Sequence, residues 1–203
     1  MDNRRAYEVA AQTLEVEFEV KKSRFITRAY PATDREEAMA GLAQARKDYP
    51  DARHHCWAYL IGNPYSPTTL AMSDDGEPSG TAGKPILNVL QHKDVGDVML
   101  VVIRYFGGIK LGAGGLVRAY SAAAQQAMEA LPVKTMVPMH SQTLTGGYAF
   151  EQPLRHWLGV HEGKIDSVSY EAEVCFNVQL QLDSLKGFEA FCAAHGATLL
   201  ADT

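Results

Sequence analysis

The sequence predicts an α+β protein of two domains, on three observations. Leu14, Val16, Phe18 and Val20 alternate with Glu15, Glu17 and Glu19, the period of two of a strand with one wet face. Residues 98–103 form an unbroken apolar, β-branched run, the pattern of a central strand covered on both faces. Around Pro132 and Pro138 a long helical pattern ends and the charge balance changes: residues 1–136 carry 16 basic and 16 acidic side chains, residues 137–203 carry 3 and 8. The expected domains are therefore 1–134 and 135–203.

Taken in order, residues 14–20 and 24–30 read as a hairpin interrupted at Lys21, Lys22 and Ser23. Thr33 or Asp34 can cap a surface helix with Glu36 and Glu37 in its first turn and Ala38, Leu42, Ala45 and Tyr49 on one face, stopped by Pro50. Residues 55–61 read as a buried strand and 62–69, with Pro64 and Pro67, as a loop. A short helix is expected over 85–91, the central strand over 98–103, and an alanine-rich helix over 116–131. Beyond the prolines come a strand (140–148), a helix (150–160), two strands (164–172 and 174–182), a helix (184–195) and a last strand (198–201). That βαββαβ order is the split βαβ, ferredoxin-like arrangement.

Composition narrows the class of function. The chain has 203 residues, 46% of them hydrophobic and 21% charged, close to an ordinary globular protein. Its strongest apolar run is far shorter than the roughly 20 residues of a membrane helix, and Asp2, Arg4, Arg5 and Glu8 replace any apolar leader, so a cytoplasmic protein with no membrane partner is expected. Cys56, Cys175 and Cys192 are odd in number and widely spaced, which suggests neither a disulfide framework nor a structural zinc site. The net charge of −5 rules out a globally basic surface, so any nucleic-acid contact must use a local patch in the first part.

Nine of the 17 glycines fall between Gly76 and Gly115, which marks unusual or closely approached backbone. Asp74, Asp75 and Glu77 sit within four positions, ahead of a Ser/Gly/Thr turn. Such a cluster can hold a hard ion such as Mg²⁺, with Asp75 also a candidate catalytic group. Turn chemistry explains most clusters of this kind, with Asp74 or Asp75 meeting local amides and Thr81 capping the helix that Pro85 begins. Further on, the chain leaves the apolar strand at Arg104, Tyr105 and Phe106, crosses a glycine-rich loop past Lys110, and enters a helix near Arg118. Unpaired amides and partial positive charge at a helix start, reached through Gly112, Gly114 and Gly115, suit an anion, though these glycines could equally serve a tight strand-to-helix connection. No Gly-Lys-Ser/Thr or Gly-x-Gly-x-x-Gly is present, which excludes a Walker A loop and a dinucleotide fingerprint. His54 and Cys56 fall on one face of their strand and His55 on the other; His55 is the candidate proton carrier, against the plainer reading of a core histidine. Lys21, Lys22, Arg24 and Arg28 could form a basic ridge or merely solvate a strand edge.

These strings closely resemble the IMPACT family, in its bacterial, YigZ-like branch. The resemblance is carried by Lys22-Ser23-Arg24-Phe25-Ile26, Ala52-Arg53-His54-His55-Cys56, Ser73-Asp74-Asp75-Gly76-Glu77-Pro78 with Gly80-Thr81-Ala82-Gly83-Lys84-Pro85, and the run from Val101 to Gly112. It implies an amino-terminal IMPACT domain with a ribosomal-protein-like α/β fold and a left-handed βαβ crossover, similar to domain IV of elongation factor G. The carboxy-terminal domain would then resemble domain V of that factor. It also implies motif residues lining a cleft and a protein associated with RNA or the ribosome, whereas the kinase-regulating role of eukaryotic members depends on an additional module for which this chain has no room.

Three functions are thus in play. A non-catalytic binding protein acting near translation would contact phosphates through Arg24, Lys84, Arg104, Lys110, Arg118 and the amides of Gly112, Gly114 and Gly115, with Tyr105 or Phe106 packing on a base or sugar. A phosphate-ester enzyme would hold Mg²⁺ on Asp74, Asp75 and Glu77 and move a proton with His55. An adaptor would engage a translation-related protein.

Overall fold

The computed structural model describes residues 6–201. They divide into two compact units, residues 7–136 and residues from 137 on.

The first unit is built on a five-stranded antiparallel sheet. Its strands are β2 (Leu14–Val20), β3 (Ser23–Pro31), β4 (His54–Ile61), β5 (Thr69–Ser73) and β7 (Val98–Tyr105), in the order β2-β3-β7-β4-β5. The apolar run at 98–103 is the middle strand, and every one of its side chains is fully buried. Val98, Leu100 and Val102 join a core with α2 (Gly83–Gln91) and α3 (Ala113–Ala130), while Met99, Val101 and Ile103 pack on the other face against α1 (Arg35–Asp48). Burying each such side chain contributes on the order of 2 kcal/mol, so this strand fixes the three layers. The helix α1 is capped as its sequence indicates: Asp34 accepts from the Glu37 amide at 2.9 Å, and Ala38, Leu42 and Ala45 form the buried stripe.

Four short strands have no signal in the sequence. β5 begins where the expected loop 62–69 ends, in residues whose pattern indicates no element, and is recruited by pairing with β4. The stretch between the two prolines is itself a strand, β8 (Val133–Met136), which pairs antiparallel with β1 (Tyr7–Ala10), whose other edge holds β6 (Val95–Gly96). The helices also start earlier than their apolar periodicity suggests, α2 at Gly83 and α3 at Ala113, because Gly83-Lys84 and Ala113-Gly114-Gly115 carry no periodic apolar signal.

The hairpin turn is tighter than its sequence advertises. Ser23 pairs directly with Val20, leaving Lys21 and Lys22 as a two-residue loop, both at positive φ (48° and 63°), the geometry of a type I′ turn. Gly107 lies against it: a Cβ there would come within 2.0 Å of the Lys22 carbonyl group, so only glycine fits.

In the second unit the strands β9 (Met139–Gly146), β10 (Lys164–Tyr170), β11 (Val174–Gln181) and β12 (Thr198–Leu199) are ordered β10-β11-β9-β12, with helices α4 (Glu151–Val160) and α5 (Leu185–Ala194). This is the βαββαβ order expected. Its core gathers Leu144, Leu154, Leu158, Phe176, Val178 and Phe188, and the alternating burial of β11 identifies a sheet with one covered face.

Candidate functional site

The carboxy-terminal end of β7 and the amino-terminal end of β4 lie side by side, since His54 is paired with Arg104 in the ladder. Beside them open the loop after β5 and the glycine-rich loop into α3. Together they enclose a cleft of about 670 Å³, lined by Asp51, Arg53 and His54, by Glu77 and Pro78, by Arg104, Tyr105 and Phe106, and by Lys110 through Ala113 with Leu116.

Its floor is a buried ion pair. The Arg104 Nη1 donates to Glu77 Oε1 at 2.7 Å, with the two side chains only 9% and 4% exposed. The same Oε1 accepts from the Tyr120 hydroxyl at 2.8 Å, and the Cys56 thiol lies 3.3 Å from that hydroxyl and 2.9 Å from the Asp74 carbonyl oxygen. Burial, with the nearby carboxylates adding to it, pushes the Cys56 thiol up to about 12. Burial and the Cys56 and Glu77 neighbours likewise raise the Tyr120 phenol. Neither is a nucleophile at neutral pH; they hold Glu77 in place. The guanidinium is incompletely matched: its Nε is buried with no hydrogen-bond partner, and Nη2 meets no protein acceptor among the described residues.

The wall opposite is the start of α3. Gly112, at φ 71°, takes the cap position in a conformation that favours glycine, and no side chain caps the helix. Its carbonyl accepts from the Leu116 amide at 2.9 Å. The amides of Ala113, Gly114 and Gly115 have no acceptor among the described residues. They are three of the orphan donors at a helix start, where the partial positive charge favours an anion. Lys110 and Arg53 are exposed and form no ion pair among the described residues. The His54 Nδ1 lies 2.9 Å from the Asp75 carbonyl oxygen. A carbonyl can only accept, so Nδ1 carries the proton and Nε2 is the nitrogen left for a ligand.

The acidic cluster turns out differently from a metal site. Asp74 and Glu77 close a turn (Glu77 amide to Asp74 carbonyl, 2.9 Å) whose central residues Asp75 and Gly76 both have positive φ, the type I′ pattern. The turn sends the three carboxylates to separate partners. Asp74 accepts from the amides of Gly80 (2.8 Å), Ala82 (3.0 Å) and Gly83 (2.8 Å). Burial alone would raise its pKa, but those three amides outweigh it and hold the carboxyl below the usual range. Asp75 receives the His55 amide at 2.7 Å and Arg46 at 2.9 Å, and Glu77 faces Arg104. Among the described residues no group of three His, Cys, Asp or Glu side chains is arranged to hold a metal. Asp74, Asp75 and Glu77 thus serve the fold, in line with the turn-chemistry reading of the cluster, and the alternative of a shared Mg²⁺ has no converging arrangement behind it among the described residues. The cap of α2 is Asp74, reaching from nine residues before the helix, and not Thr81, whose hydroxyl bonds to the Pro78 carbonyl at 2.6 Å.

Four further candidates lie outside the cleft lining. His55 is not at the cleft: it points to the α1 side, with Nε2 buried and unpartnered, and burial lowers its pKa. Strand alternation places His54 on the cleft face instead, beside Cys56, while the burial of His55 agrees with the plainer reading of a core histidine. Arg24 is tied to Glu17 at 2.7 Å on the hairpin and leans over the Tyr105 ring. Lys84 lies on α2 outside the cleft lining, and Arg118 lines a neighbouring apolar hollow with Phe18, Val20 and Gly115. Arg104, Tyr105, Lys110 and Gly112 are brought together as expected; Arg53, His54 and the floor position of Glu77 are additions.

The comparisons with known proteins fit this arrangement. The family profile described as the Impact N-terminal domain matches residues 21–128, spanning every element that lines the cleft. The chain belongs to the IMPACT family. It is 41% identical over 182 residues to "IMPACT family member YigZ" of Escherichia coli (strain K12), covering 90% of this chain and 89% of that protein. It is 32% identical over 183 residues to "IMPACT family member YvyE" of Bacillus subtilis (strain 168), covering 90% and 83%. A crystal structure titled only as that of a hypothetical protein aligns over 98% of both chains at 39% identity with a TM-score of 0.73. IMPACT membership thus extends beyond the first unit, since these relatives align over both. No helix among the described residues is long and apolar enough to cross a membrane.

Proposed function

We propose that this IMPACT protein is a non-catalytic, cytoplasmic binding protein that engages RNA or the ribosome and acts on translation, through phosphate held in the cleft of its first unit. The observation that carries this reading is the meeting, in one cleft, of the unclaimed Ala113 amide at the start of α3 with the unmatched edge of Arg104 and the free cations Lys110 and Arg53; the Gly114 and Gly115 amides follow in the same helical turn. Phosphate contacts of this kind position a nucleic acid without reading its sequence. The same reading assigns the first unit the left-handed crossover of elongation factor G domain IV and the second unit the likeness to domain V. Its support is the α1 connection between β3 and β4, two parallel strands separated by β7. The test is filter binding of single-stranded RNA at low and rising salt. The expected result is salt-sensitive binding that Lys110→Ala and Arg53→Ala each weaken; absence of binding at low salt, or unchanged affinity in both variants, would overturn it.

A further inference from the structure

We propose that the cleft takes a terminal phosphate, the phosphomonoester of a nucleotide, in preference to phosphodiesters in the interior of a strand. This rests on the phosphate-binding reading above and narrows it. The distribution of charge supports the narrower ligand. A protein that tracks a polynucleotide needs a row of cations along a groove. Here the cations outside the cleft are divided: Arg24 is paired with Glu17 and Arg28 with Glu15 and Asp48, Lys84 lies on α2, Lys22 stands on the hairpin turn, and Lys21 and Arg118 line a separate hollow. Inside it, Arg53, Arg104, Lys110 and the α3 amino terminus converge on one compact volume, with Asp51 also in the lining and Glu77 beneath. Such a field suits a single, doubly charged group.

The Arg104 side chain is the second, independent sign of a ligand. It is nine-tenths buried, lines the cleft, and leaves Nη2 without a protein acceptor, a donor that an incoming oxygen would meet; its Nε also has no partner but is shut off from solvent. Next to it Phe106 is 58% exposed, with the Arg104 guanidinium 5.8 Å from its ring centroid. A guanidinium on one face leaves the other face of the ring for a base. The His54 Nε2 adds one more polar position. A cleft of about 670 Å³ is of the size that encloses one small ligand.

Two sources share this chemistry, a free nucleotide and the phosphorylated end of an RNA, and calorimetry at low salt separates them. The probes are adenosine 5′-monophosphate, adenosine, 3′,5′-cyclic adenosine monophosphate, and one short single-stranded RNA with either a 5′-phosphate or a 5′-hydroxyl. The proposal expects the terminal phosphate to tighten binding about tenfold, the scale of one added charge-assisted hydrogen bond. Lys110→Ala, an exposed change, should abolish that preference, while Phe106→Ala should weaken adenosine and its monophosphate alike. Preference for the phosphorylated RNA end identifies a chain end as the source; preference for the monophosphate over adenosine and the cyclic diester, without discrimination between the RNAs, identifies a free nucleotide. Equal binding of both RNAs, with no gain from the monophosphate, overturns the terminal preference while leaving RNA binding intact. No binding by any probe overturns both.

Discussion

The acidic turn and the glycine-rich loop of the first unit flank one cleft, which Glu77 and the start of α3 line, and they have opposite fates. In the acidic turn each carboxylate already has donors: Asp74 has three amides, Asp75 has the His55 amide and Arg46, and Glu77 has Arg104 and Tyr120. In the glycine loop the amides of Ala113, Gly114 and Gly115, and the cation of Lys110, have no partner among the described residues. Clustered polar side chains therefore do not by themselves mark a binding site. What distinguishes a candidate site is polar capacity the fold leaves unused, and by that measure the positive wall is the place to look for a ligand, whereas the carboxylates of the negative wall serve the fold.

This contrast makes substitutions in the two walls act on different observables. The largest loss of stability is expected for Glu77→Ala, which strands the Arg104 charge in the interior: about 3–5 kcal/mol, read from urea unfolding. Asp74→Ala removes three amide bonds and the cap of α2 and should cost about 2–3 kcal/mol. It also carries a pH signature. The Asp74 carboxyl is depressed in the folded protein, so its contribution is fully present above the unfolded value near 3.9 and is lost as the pH falls through the lower folded value. Unfolding profiles between pH 5 and about pH 2 should be flatter in the alanine variant, and parallel profiles would refute the assignment. Gly107→Ala forces a Cβ onto the Lys22 backbone and should cost about 1–3 kcal/mol by shifting the hairpin from the loop. Lys110→Ala should change stability by less than about 0.5 kcal/mol, yet weaken RNA binding and lower its salt slope by about 1. A Lys110 variant that unfolds early, or an Asp74 variant that loses only binding, would erase the distinction between the walls.

The sequence made the architecture plain where burial imposes a period. The central strand at 98–103, the α1 stripe and the βαββαβ order of the second unit all follow from spacing that the core enforces. It was silent on β5 and on the sheet of β1, β6 and β8, because strands of two to five residues owe their existence to partners distant in the chain. At the site, the glycine loop was legible because conformational need and charge are both written in residue type. That Asp74 meets local amides was legible as turn chemistry; that it, and not Thr81, serves the start of α2 was not, since its amides arrive through a type I′ turn whose direction depends on Asp75 adopting positive φ. The choice between His54 and His55 turned on which face of β4 meets α3, a fact of packing that alternation alone leaves open.

The most direct test of the account is amide-resolved NMR during titration with inorganic phosphate at low ionic strength. The account predicts that the largest shifts fall on the amides of Ala113, Gly114 and Gly115 and on the Arg104 Nε–H, with the amides bound to Asp74 unmoved. Shifts centred on Lys84, Arg118 or the hairpin, with the α3 amides silent, would contradict it.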